Sequence, residues 1–157
     1  MRSLILFVII SISFWGCFPS KELTKDQTEK IFAHNVNLKK EEIKQKLILF
    51  ANEKFVSGKA VIQSNEDGFL AGNGIVQIHY HSDLLGENIN RVKMEFTFMV
   101  KYADNNYKVK WVVKDLTNDK GSINQNLWGY YADEIEKSIT NNDSEMFAYV
   151  TGKDDNF

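Results

Sequence analysis

At 157 residues the chain has room for one ordinary domain and little more. Hydrophobic residues make up 43% of it and charged residues 25%, a composition that excludes an intrinsically disordered chain. The net charge of -2 lacks the basic excess of a general nucleic-acid binder, so neither DNA nor RNA is an expected partner.

Behind Arg2, Leu4 to Trp15 is an unbroken run of apolar and small hydroxyl residues, and Gly16 stands before Cys17. A membrane-spanning helix needs about 20 apolar residues, so the shorter run reads as an export signal over residues 1–16. Cys17 is the one cysteine of the chain, which rules out an intramolecular disulfide. Its position resembles the lipid-attachment cysteine of bacterial lipoproteins, where cleavage just before the cysteine precedes acylation of its sulfur and its new amino group. Phe14 and Trp15 depart from the Leu-like and small residues usual there, which leaves an ordinary cleaved signal or an uncleaved anchor as alternatives. The lipoprotein reading implies export and a membrane partner reached through the acyl anchor. The domain would then sit in the periplasm or at the surface, on the cell membrane or the outer membrane.

Residues 17–27 are polar, contain the only proline, Pro19, and show no apolar period, so they read as a tether to a single domain over 28–157. Glu29 to Val36 reads as a short strand with Phe32, His34 and Val36 on one face. Asn37 to Gly58 reads as a helix: Glu41 and Glu42 suit its first turn, and Ile43, Leu47, Phe50, Ala51 and Phe55 form one apolar stripe. Lys59 to Asn65 is a β-prone run, and Glu66-Asp67-Gly68 signals a tight turn. Phe69 to His81 follows as a longer strand, in which Gly72 and Gly74 mark a bend, a bulge or a close approach. Residues 82–87 read as a loop.

The clearest pattern lies in residues 89–117. Val92, Met94, Phe96, Phe98, Val100 and Tyr102 alternate with charged and polar residues, Asp104-Asn105-Asn106 makes a turn, and Tyr107, Val109, Trp111 and Val113 alternate with lysines on the return. This is a hairpin with one greasy face that needs a cover. A second helix is expected over about 125–140, with the stripe Leu127, Tyr131, Ile135 and Ile139, broken by Asn141-Asn142-Asp143.

With the order strand, helix, four strands, helix established, a family resemblance emerges. The aromatics Phe50 and Phe55, the run FVSGKAVIQ (55–63), GFLAGNG (68–74) and the paired strands FTFMVKY (96–102) and NYKVKWVVKDLTN (106–118) resemble the bacterial domain of unknown function 4468. That resemblance implies an α+β, TBP-like β-α-β(4)-α fold, an antiparallel sheet with two helices packed on one face. Phe50 stands where the family commonly has tryptophan. The family carries no established activity or catalytic residues, and shape alone does not imply DNA binding.

Three candidate sites arise from the residues. His79 and His81 lie two apart on a strand and so face the same way, which could bring both imidazoles to one metal ion with Asp83 or His34 as a third ligand. Such a bare pair equally suits a solvated sheet face. Gly72-Asn73-Gly74 lacks the lysine and following helix of a phosphate loop, there is no GxSxG elbow, and carboxylates such as Glu41-Glu42 read as solvated charge. Finally, Arg91, Lys93, Lys101, Lys108, Lys110 and Lys114 would share the face away from the helices, where they could dock an acidic partner, a glycan or lipid headgroups; lysines also protect sheet edges.

The sequence therefore reads as a lipid-anchored cell-envelope binding or accessory module with no cofactor, whose partner is an envelope protein or a glycan. The alternative is a small metal-dependent enzyme centred on His79 and His81. The packing expected is two amphipathic helices roofing one layer of strands, with no buried polar cluster beneath the roof.

Overall fold

The alternation of greasy and charged residues from 89 to 118 builds the central hairpin. In the computed structural model, which describes residues 20–55, 62–81 and 89–153, it forms β4 (Ile89–Ala103) and β5 (Asn106–Asn118). Of Tyr80, His81, Ile89 and Asn90 only the backbone is described. The expected export signal, Cys17, Gly58 and Asp83 lie outside the described residues. Asn105, in left-handed backbone at φ 64°, turns the hairpin.

That turn also organises what lies before it. Val36 N donates to Asn105 O at 2.8 Å, Asn105 N to Leu38 O at 2.9 Å, and Lys40 N to the Asp104 carboxylate at 2.8 Å. The chain thus leaves β1 (Glu29–Asn35) and enters α2 (Lys40–Lys54) with Asp104 satisfying one of the free amides at the helix start. Glu42 accepts from Lys39 N at 2.9 Å on the same turn. These bonds place the start at Lys40 and not at the expected Asn37. Phe55, buried just past the helix end, packs edge-on against Phe50 and Phe96.

β2 (Ile62–Glu66) and β3 (Phe69–His81) meet at the expected turn through Asp67 and Gly68, and the sheet order is β1-β5-β4-β3-β2, antiparallel throughout. A two-residue strand, β6 (Gly121–Ser122), pairs with the far end of β5. β3 and β4 pair residue for residue without a bulge. Gly74 therefore marks a close approach and not a bend: a Cβ there would lie 2.5 Å from the Phe96 ring. The register breaks between β4 and β5, where Lys114 is the extra residue, and this lets Val113 and Leu116 both turn inward.

Both long helices cover the same face of the sheet. Ile43, Leu47 and Phe50 of α2 share one core cluster with Phe96, Phe98 and Trp111, and α3 (Ala132–Thr151) contributes Ile135, Ile139, Met146 and Val150 to it. Each large side chain taken fully from water contributes about 1.5–3 kcal/mol. The α+β arrangement expected from the sequence, one antiparallel sheet with two helices packed on one face, is the one observed.

Three differences have physical causes. Residues Gln125–Tyr131 form a 3₁₀ segment, and only from Ala132 does the chain run as α-helix, continuing to Thr151. The tighter winding shifts the phase, so Trp128 turns inward while the expected Leu127 stays exposed. Asn141-Asn142-Asp143 does not end the helix, because Asn142 Nδ2 bonds back to Ser138 O at 2.7 Å and Asp143 finds partners on the sheet. At the other end, the expected tether is docked from Lys21 onward. Lys21 N donates to Asn126 O and Gly129 N to Lys21 O, both at 2.6 Å, Leu23 packs on the core, and Lys25–Thr28 form one helical turn, α1. Only glycine fits at 129, since a Cβ would meet Lys21 O at 2.3 Å.

Candidate functional site

The open face of the sheet carries the six cations that the alternation assigned to it. Arg91, Lys93, Lys101, Lys108 and Lys114 are exposed, whereas Lys110 is half-buried and paired with Glu29 at 2.7 Å. That pairing holds the Glu29 carboxyl below its usual range, chiefly through the Lys110 hydrogen bond. The register divides the set. Lys101 stands directly across from Lys108, with Lys110 one step further along β5 beside Met99 and Ile31. Eight residues away on β4, roughly 26 Å at the rise of a strand, Lys93 lies across from Gln77, and Arg91 from His79. Between the two groups runs a band of Ala71, Met99, Val112 and Ile75, then the acidic pair Glu95 and Asp115. Asp115 accepts from Ser122 Oγ at 2.6 Å and from Leu116 N at 2.8 Å.

Like charges directly opposite on a sheet destabilise it. The Lys101 and Lys108 pair has no carboxylate partner within ion-pair distance among the described residues. Its local field is therefore positive in a chain whose net charge is negative.

Of the expected histidine constellation, the structure removes His34. His79 is exposed on β3 and lies across from Arg91 of β4. The His81 side chain and Asp83 lie outside the described residues. His34 is on β1, with β5 and β4 between it and β3, and it points beneath the helices and not to the open face. Three strand spacings, about 14 Å, and the sheet itself separate it from His79, so it cannot complete that ligand set. Among the described residues no group of three His, Cys, Asp or Glu side chains could hold a metal ion.

His34 instead belongs to a polar cluster under the roof, which corrects the expectation that none is there. Its Nε2 lies 3.0 and 3.2 Å from the two oxygens of Asp143, and Trp111 Nε1 donates to the same carboxylate at 3.4 Å. Asp143 is 4% exposed and the His34 side chain 16%. Burial pushes the Asp143 carboxyl up, and the His34 hydrogen bond works against that. The His34 ring lies between Phe147 and Tyr107, each 4.8 Å away between centroids. The Tyr107 hydroxyl is buried with no hydrogen-bond partner among the described residues, and burial also raises its pKa. Chemically this is a histidine held by a carboxylate, and it clamps β1 and β5 to α3. One signal for it was present in the sequence: continuing the stripe of Ile135 and Ile139 by one turn lands on Asn142 and Asp143 before reaching Met146.

A family profile described as a domain of unknown function (DUF4468) with TBP-like fold matches residues 28–112. Among solved structures, a TBP-like protein from Parabacteroides distasonis is similar at 12% identity and a TM-score of 0.60, covering 82% of this chain and 96% of its own. A DUF4468 family protein from Bacteroides ovatus is similar at 16% identity and a TM-score of 0.60, covering 92% of this chain and 97% of its own. No curated protein matches the chain. At these identities the likeness establishes the shared fold.

Proposed function

The chain belongs to the DUF4468 family of TBP-like domains, and we propose that it is an exported, lipid-anchored binding module that docks an acidic protein surface on the open face of its sheet. The observation that carries this reading is the Lys101 and Lys108 pair: two exposed lysines placed across from each other, with no ion-pair partner among the described residues, at one end of the open face. A fold gains no stability from that juxtaposition, whereas an acidic partner would relieve it. The band of Met99, Ile31 and Val112 beside the pair offers apolar area at the centre of the same contact. Cys17, directly after the apolar run, supplies the anchor, since several acyl chains at about 0.8 kcal/mol per buried methylene hold a protein firmly to a bilayer.

The docking half is tested with a glutamate-rich peptide as probe. Binding is expected at low salt, weakening as salt is raised, and falling about tenfold or more in the double variant Lys101→Glu, Lys108→Glu. Equal binding by that variant would reject the face, and preference for anionic vesicles or a neutral glycan over the peptide would reject the acidic protein as occupant. The anchor half is tested separately: Cys17→Ser should abolish fatty-acid labelling and release the protein from membranes.

A further inference from the structure

The open face carries a second like-charge pair, of the opposite sign. Glu95 of β4 stands directly across from Asp115 of β5, as Lys101 stands across from Lys108. Among the described residues neither Glu95 nor Asp115 has a cation within ion-pair distance. Two carboxylates opposite each other weaken a sheet for the same reason that two lysines do.

The bulge makes this pair. From the turn to Phe96 the strands run in step, Lys101 with Lys108, Met99 with Lys110 and Thr97 with Val112. One more step would set Lys114 across from Glu95, an ion pair within the chain. Lys114 is instead the extra residue, and Asp115 takes the place opposite Glu95. The fold forgoes an internal attraction and sets two acids level with each other, about 20 Å along β4 from two level lysines at the rise of a strand.

We propose that the acidic surface received by the lysine pair is that of a second copy of this chain, bound face to face; this rests on the docking face proposed above. A two-fold axis between the faces, at right angles to β4 and level with Phe98, brings Lys101 over Glu95 of the other copy and Lys108 over Asp115. The same operation repeats both contacts in the opposite direction, as an isologous interface requires. Met99 then meets Thr97, and Val112 meets Lys110, whose charge is already held by Glu29, so the centre buries no unpaired ion. Packed sheets lie about 10 Å apart, a gap that a lysine and a carboxylate side chain reach across together. They also cross at about 30°, which shifts residues about 10 Å from the axis sideways by about one strand spacing. Because each pair spans two adjacent strands, one lysine of each pair still lies over an acid. The axis keeps the β1 edges of both copies on one side. There α1 packs on β1 and β5 with Lys21 docked just ahead of it, so two acylated Cys17 residues would reach the same bilayer.

The test is the molar mass of the whole chain in non-ionic detergent micelles, by sedimentation equilibrium at low and high salt. A dimer is expected at low salt, with a dissociation constant that rises about tenfold or more at high salt. Lys101→Glu with Lys108→Glu should raise it by about tenfold or more, and so should Glu95→Lys alone, which alters a partly exposed side chain of the open face. Mixed in equal amounts, the two variants should recover the dimer mass, because each again presents the charge that the other lacks; misfolded variants would not. The proposal is overturned if the parent chain is monomeric at every salt concentration, if the dimer survives both variants unchanged, or if the mixture stays monomeric. A monomeric parent that binds the glutamate-rich peptide through Lys101 and Lys108 overturns the second copy as partner and leaves the docking reading in place. A dimer that persists in the lysine variant, with no peptide bound by the parent, overturns both.

Discussion

β5 shows both environments of the molecule within one strand. Tyr107, Val109, Trp111 and Val113 face the helices, and Lys108, Lys110 and Lys114 face the other way. Under the helices Asp143, His34 and Trp111 Nε1 bond to one another, and among the described residues the Tyr107 hydroxyl is the one fully buried side-chain polar atom without a hydrogen-bond partner. On the open side, Lys101 and Lys108 have none among the described residues. The difference separates polar groups that specify the packing from polar groups left for something outside the chain. A buried unpaired group is costly, so partners are supplied internally. An exposed lysine costs little, so its placement can answer to binding.

The largest test of that contrast is Trp111→Ala, which empties the space between Phe96, Phe98 and the helices and should cost about 3–5 kcal/mol in urea unfolding. His34→Leu should cost about as much, roughly 3–5 kcal/mol, because it strands the Asp143 carboxylate without its principal partner. Replacing both, His34→Leu with Asp143→Leu, should recover most of that loss. A double variant no more stable than His34→Leu alone would show that the cluster is not a self-contained pair.

Gly74→Ala comes next. The added methyl must displace the Phe96 ring, at a cost of about 1–3 kcal/mol, whereas Asn73→Ala on the neighbouring open-face position loses only its bond with Thr97.

The pH dependence should be smaller, and its buried contribution comes from the roofed face. Burial makes the folded chain hold the Asp143 proton more tightly than the unfolded chain does. Its contribution to stability is therefore complete below the ordinary value of 3.8 and is lost as pH rises from there through the raised folded value. Asp143→Asn should remove that slope from a plot of unfolding free energy against pH. Charge changes on the open face should matter least for stability: Lys108→Glu is expected within about 0.5 kcal/mol of the parent, with a slight gain from facing Lys101 with an opposite charge.

Much of the fold was legible because its signals are local. Period two from Val92 to Tyr102 is visible in any window of ten residues, and Ile43, Leu47 and Phe50 announce a helix in the same way. What was missed depends on residues far apart in the chain. His34 and Asp143 are 109 positions apart, so no window contains both. Asp143, seen with its asparagine neighbours, has the composition of a helix break. It stays helical because the sheet supplies partners that a turn would otherwise offer. Asp104 carried a turn signal that was read correctly, yet its second task, bonding Lys40 N, spans 64 positions and leaves no trace nearby. The candidate sites divide in the same way: the open-face cations follow from alternation, whereas the pairing of Glu95 with Asp115 appears only once the register break at Lys114 is known.

The docking of Lys21 against Gly129 sets a length. From Cys17 to Lys21 are four peptide units, and a fully extended chain of that size reaches about 14 Å at most. An acylated Cys17 would hold the domain on a mooring shorter than the domain is wide. Its choice of orientations against the bilayer would then be narrow, with the Gln125–Tyr131 segment kept near the lipid headgroups and any partner obliged to approach from the side or from above.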